Sequence, residues 1–121
     1  MTRTITFTDT DEGRQRFRIL WDGLRFGTIV MSQKPESSRT PEVLRQETQI
    51  RKTLKTISTN GAVEGDIDVR TLQAGGGTVL LEHPLVKLLS AYGWAVQWTP
   101  TAVESAVDAL DFLDSAPESN D

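Results

Sequence analysis

Apolar side chains change their period partway along this chain. Up to Met31 they recur every second residue, and over residues 43–57, 85–89 and 103–113 every third or fourth. A period of two belongs to a half-buried strand and one near 3.6 to a helix packed by one face, so the pattern points to an α+β fold with its strands first. Over residues 3–8, Ile5 and Phe7 alternate with Thr4, Thr6 and Thr8, residue types suited to a pleated surface. Asp9-Thr10-Asp11-Glu12-Gly13 then supplies turn chemistry. Residues 14–21 place Gln15, Phe17, Ile19 and Trp21 on one side and Arg14, Arg16, Arg18 and Leu20 on the other. Asp22-Gly23 follows, the pair favoured where both central residues of a hairpin turn need positive φ. With residues 24–31 this predicts a three-stranded antiparallel meander, and residues 32–39, without period, read as an exposed connector.

Thr40-Pro41-Glu42 offers an N-cap, a proline at the first helical position and a first-turn acid. A central amphipathic helix is predicted from there to Ser58, burying Val43, Leu44, Ile50, Leu54 and Ile57. A β-hairpin is expected from residues 67–73 and 78–82, joined through Gly75-Gly76-Gly77, since glycine takes left-handed angles freely. Two C-terminal helices complete the reading. The first runs from Pro84 to Tyr92 on Leu85, Leu88 and Leu89 and stops at Gly93. The second starts at Thr99-Pro100, with Thr101 and Glu104 in capping-box spacing and Val103, Ala106, Val107, Leu110 and Leu113 at helical intervals. Between them, Trp94 and Trp98 flank a corner where at least one of the two is expected to lock the last helix against the sheet, and Phe17, Trp21 and Phe26 are expected in the core. Residues 1–114 are read as one α+β domain and 115–121 as a mobile polar tail.

At 121 residues with no cysteine, the fold must rest on a modest apolar core, without disulfides or a thiolate metal site. Residues 1–10 carry no apolar segment of signal-peptide type, and the apolar run at Val79-Leu80-Leu81 is far short of the roughly 20 residues that span a bilayer. The expected location is cytoplasmic, with no membrane partner. Charge is divided along the chain. Residues 1–60 hold 11 of the 13 Lys and Arg against 7 acids, and residues 61–121 hold 2 against 10, so +4 stands beside −8 within a net of −4. Opposite fields on one small body favour an internal clasp or head-to-tail contact with a neighbour.

Several side-chain sets can carry that contact. On a strand, Arg14, Arg16 and Arg18 would form a row spaced by about 7 Å, able to fork onto carboxylates or phosphates. Arg45, Arg51, Lys52 and Lys55 make the central helix basic. Glu104, Asp108 and Asp111 make an acidic stripe on the last helix. Arg14, Arg16, Arg18, Arg45, Lys52, Lys55, Glu104, Asp108 and Asp111 are therefore the candidate interaction residues. Catalytic, cofactor and metal assignments find no support. His83 is the lone histidine, read as a turn or capping residue. The run from Asp9 to Gly13 has Leu20, not glutamate, at the twelfth position of a calcium loop. Gly75-Gly76-Gly77-Thr78 lacks the Gly-Lys-Ser/Thr ending of a phosphate loop, and no Gly-x-Ser-x-Gly is present.

The second half runs through Thr53-Leu54-Lys55-Thr56-Ile57, Gly75-Gly76-Gly77-Thr78-Val79-Leu80-Leu81-Glu82, Leu85-Val86-Lys87-Leu88-Leu89 and Trp98-Thr99-Pro100 to Val107-Asp108-Ala109-Leu110-Asp111. This layout, over about half the chain, resembles small accessory proteins encoded among the late genes of tailed bacteriophages and prophages. The resemblance implies particle assembly or host interaction, in host cytoplasm or virion, and assigns no functional residue. The resulting expectation is a non-enzymatic protein–protein interaction component that binds a protein partner or itself as an oligomer or particle subunit. The competing expectation is a nucleic-acid-binding regulator that uses the basic half.

Overall fold

The computed structural model describes residues 2–33, 40–58 and 76–119. They order as β1 (Thr2–Phe7), α1 (Asp11–Ser32), α2 (Pro41–Lys55), β2 (Gly77–Glu82), α3 (His83–Ala95), α4 (Val103–Asp114) and a two-residue β3 (Glu118–Ser119). The three strands form one antiparallel sheet in the order β2-β1-β3, with Ile5 opposite Val79 and Thr4 opposite Leu80. Alternation sends Ile5, Phe7, Val79 and Leu81 into the core and leaves Thr6, Thr78 and Leu80 on the outer face. The helices cover the inner face. The class is α+β as expected, but its arrangement differs from the predicted one.

The main correction falls on residues 14–31, which form one 22-residue helix rather than two strands of a meander. Phe17, Leu20, Trp21 and Leu24 recur at helical intervals and are all essentially inaccessible. Phe17, Ile19 and Trp21 also alternate, so two periods coexist over this stretch and charge spacing decides between them. Asp11 with Arg14 and Glu12 with Arg16 are ion pairs three and four residues apart, neighbours only on a helix. The expected turn at residues 9–13 instead starts this helix. The Thr10 hydroxyl accepts from the Gly13 amide at 3.1 Å, and Asp11 and Glu12 complement the helix dipole.

Asp22-Gly23 lies within α1 and turns nothing. Gly23, Gly27 and Gly93 instead let helices approach. A Cβ on Gly23 would lie 3.2 Å from Gly93 Cα, one on Gly27 2.6 Å from Tyr92 Cβ and 2.8 Å from its carbonyl oxygen, and one on Gly93 2.4 Å from Leu110 Cδ2. α1, α3 and α4 are thus packed at distances that side chains would prevent. The adjoining Tyr92 hydroxyl donates to the buried Glu47 carboxylate, tying α3 to α2.

α2 starts as predicted, with the Thr40 hydroxyl accepting from the Val43 amide at 3.3 Å. It ends at Lys55, and Ser58 closes a turn onto the Lys55 carbonyl. Ile50 and Leu54 are buried, whereas Leu44, expected in the core, is 44% exposed. β2 pairs with β1, and its predicted partner at residues 67–73 lies outside the described residues. Gly76 and Gly77, with φ of 101° and 153°, take the positive angles foreseen for the glycine run. α3 continues past Gly93 to Ala95. α4 begins at Val103 rather than Thr99, with Ala102 at its N-cap, so the Thr101–Glu104 capping box does not form.

Residues 115–119 return to the sheet rather than forming a mobile tail. Ala116 is buried, the Thr4 amide donates to the Pro117 carbonyl at 2.9 Å, and Glu118 faces Arg3. Arg3 fastens this segment through its Nη1, 2.9 Å from the Ala116 carbonyl, while its Nε donates to His83 Nδ1 at 3.1 Å. His83 is accordingly an acceptor for Arg3, and the α3 N-cap position belongs to Glu82.

Gly27→Ala provides a test of the glycine contact. Alanine is favoured over glycine inside a helix by about 1 kcal/mol, but overpacking against Tyr92 backbone costs about 1–3 kcal/mol. We expect net destabilisation and a Tm several degrees below that of the parent, measured by thermal unfolding.

Candidate functional site

Placing residues 11–32 on a helix rearranges the predicted arginine row. Successive helical residues are separated by 100°, so Arg14, Arg16 and Arg18 diverge and each meets different acids. Arg14 Nη1 lies 2.8 Å from Asp9 and Nη2 2.7 Å from Asp11. The hydrogen bond that Arg14 donates to Asp11, supported by the charges of Asp11 and Asp9, raises the guanidinium above its ordinary value. Arg16 bridges Glu12 at 2.6 Å and Asp108 on α4 at 2.9 Å, and its guanidinium sits 4.6 Å over the Phe112 ring. Among the described residues Arg18 keeps only a 4.0 Å contact with Asp22, and its side chain is 65% exposed.

One member of the acidic stripe therefore meets one member of the arginine row inside the same molecule. The hydrogen bond from Arg16 pulls the Asp108 carboxyl below the usual carboxylate range. The remaining candidates lie apart. Arg45 and Lys52 are exposed on α2 with Lys55 half-buried beside them, and Glu104 and Asp111 are exposed on α4. Arg51 instead lies 5.6 Å over the Trp21 ring.

Periodicity read as strand hid a groove of about 1450 Å³ between α1 and the α3–α4 connection. Ile19, Phe26 and Val30 supply apolar lining from α1, and Ala95, Val96 and Trp98 from the opposite wall. Arg14, Arg18, Gln97 and Thr101 contribute polar groups. Phe26, expected in the core, is 42% exposed, with the Arg25 guanidinium 5.0 Å over its ring. The Trp98 indole is fixed by donation to the Gly93 carbonyl at 3.0 Å and packs against the core, whereas Trp94 is 48% exposed. Gln15 also bonds Ser105 at 2.7 Å, joining α1 to α4 in the groove wall. Asp22 also lines it. Burial pushes its carboxyl above the usual range, an effect opposed by the charges of Arg25 and Arg18.

The sequence held a signal for this surface. On a 3.6-residue period, Ile19, Phe26 and Val30 make a second apolar stripe, away from the one through Phe17, Leu20 and Leu24. Among the described residues no helix is long and apolar enough to cross a membrane. Comparison with known proteins finds no matching family model, curated protein or solved structure.

The Arg16–Asp108 link carries a pH signature. Its carboxyl titrates below the ordinary 3.8, so the pair stabilises the fold above that value and loses its effect as pH falls through the lower folded value. Asp108→Asn is expected to lower stability by about 0.5 kcal/mol at neutral pH, the usual worth of a half-exposed pair. Urea unfolding of parent and variant should show that difference vanish once the pH lies well below 3.8.

Proposed function

We propose that this chain is a non-enzymatic protein–protein interaction component that holds a segment of a partner protein in the groove between α1 and the α3–α4 connection. Phe26 carries the reading: a large ring left 42% exposed beside Val30, in a concave surface that also contains Trp98. Apolar area rimmed by polar side chains marks interaction sites on soluble proteins. Arg18 defines the occupant's chemistry. Among the described residues it is the groove arginine held most loosely, 4.0 Å from Asp22 and 65% exposed, so the partner segment presents a carboxylate to Arg18 and apolar side chains to Phe26 and Val30.

The resemblance of the second half to late-gene accessory proteins of tailed phages suggests a setting for this activity, a structural or assembly role within a particle. A nucleic-acid-binding regulator has less support, because Arg14 and Arg16 are engaged by acids of their own chain.

Selection of a displayed random peptide library against the parent protein tests the reading. Enriched peptides should combine an acidic residue with aromatic or aliphatic ones. Phe26→Asp and Arg18→Glu, each checked for unchanged thermal unfolding, should weaken the purified peptides at least about tenfold, or about 1.4 kcal/mol. Failure to enrich any sequence, or equal binding to both variants, would overturn the groove assignment.

A further inference from the structure

α2 and α4 carry the same spatial pattern with opposite charge. Leu44, Arg45, Thr48 and Lys52 on α2 have the same spacing as Val103, Glu104, Val107 and Asp111 on α4, namely i, i+1, i+4 and i+8. At 3.6 residues per turn each set falls within about 100° of its helix circumference. Both sets face outward: Leu44, Val103 and Val107 are 44%, 44% and 40% exposed, and the four charged side chains are exposed as well. None of those four forms an ion pair with any described residue. The two helices pack on α1 and α3 rather than on one another.

We infer that the α2 face of one copy docks on the α4 face of a second copy, so that the chain self-associates head to tail. Seven residues separate Arg45 from Lys52 and likewise Glu104 from Asp111, about 10.5 Å along either axis, so two opposite-charge pairs form together. With the helices antiparallel, Arg45 on Asp111 and Lys52 on Glu104, Val107 lies opposite Thr48 while Leu44 and Val103 cover the two ends of the contact, apolar area that charge alone does not supply. A second copy is the fitting occupant because the complementary surface is present on every molecule at matching spacing. Like faces repel, which disfavours a symmetric α2–α2 or α4–α4 dimer and leaves the heterologous contact. The inference goes beyond the groove reading and uses none of its residues.

Charge exchange tests it by light scattering and sedimentation. The parent should show a mass that rises with protein concentration and falls as salt is added. Arg45→Glu with Lys52→Glu, and separately Glu104→Lys with Asp111→Lys, should each remain monomeric, with association weakened at least about tenfold. An equimolar mixture of the two should associate again, because each supplies the face complementary to the other, a recovery that misfolded variants could not give. Phe26→Asp should associate like the parent, which separates this contact from the groove. A parent that stays monomeric, or a mixture that fails to recover, would overturn the inference. So would retardation of duplex DNA that is lost only with the α2 variant, with parent and variant associating equally, since that would assign the basic face to nucleic acid.

Discussion

The close approach of α1 to α3 is the constraint on which the remaining contacts depend. Gly23 faces Gly93 and Gly27 faces Tyr92, while Gly93 also admits Leu110 of α4. The short separation lets Trp21 and Leu24 seal with Leu89 and Leu110 in one core. It also fixes Tyr92 where its hydroxyl meets Glu47, so the position of α2 follows from the same approach. On the opposite side, the Gly93 carbonyl receives the Trp98 indole, which sets the far wall of the groove. Three missing side chains thereby define both the core and the principal concavity.

Those glycines also explain the largest error of sequence reading. Asp22-Gly23 is a turn signal through the positive φ that glycine permits, but Gly23 here is helical and is needed for absent volume. A single residue type serves both needs, and only the packing partner distinguishes them. Where a signal had one physical meaning it held: the Thr40-Pro41 start of α2 and the alternation of Ile5 and Phe7 are reproduced. Thr99-Pro100 closely resembles Thr40-Pro41, yet it precedes its helix by a turn, because the Thr99 carbonyl accepts from the Ala102 and Val103 amides. The pairing of residues 118–119 with β1 left no local signature, since it rests on Arg3 reaching carbonyls more than a hundred residues away.

Charge asymmetry along the sequence is redistributed by folding. An arginine row required a strand, and a helix scatters it among Asp9, Asp11, Glu12, Asp22 and Asp108. The +4 and −8 halves therefore meet partly as an internal clasp through Arg16 and Asp108. Exposed pairs of this kind are individually weak, so the clasp orients α4 on α1 more than it stabilises the fold, which rests on the buried apolar set.

Among the described residues, the charge that folding leaves without an ion pair includes a basic face on α2 and an acidic face on α4, and Arg18 at the groove is held only loosely. Small contacts between two helix faces fall below the area of stable permanent interfaces, so the proposed pairwise α2–α4 contact would be weak by itself. Every copy carries both faces, however, and a heterologous contact closes into a ring or extends into a filament according to its rotation. In a closed ring, opening one junction leaves its two faces held close by the remaining subunits, and effective concentration strengthens re-closure without any new contact. Because Phe26 and Arg18 belong to neither helix face, such assembly would repeat the groove at fixed spacing and present several copies of the proposed partner site at once.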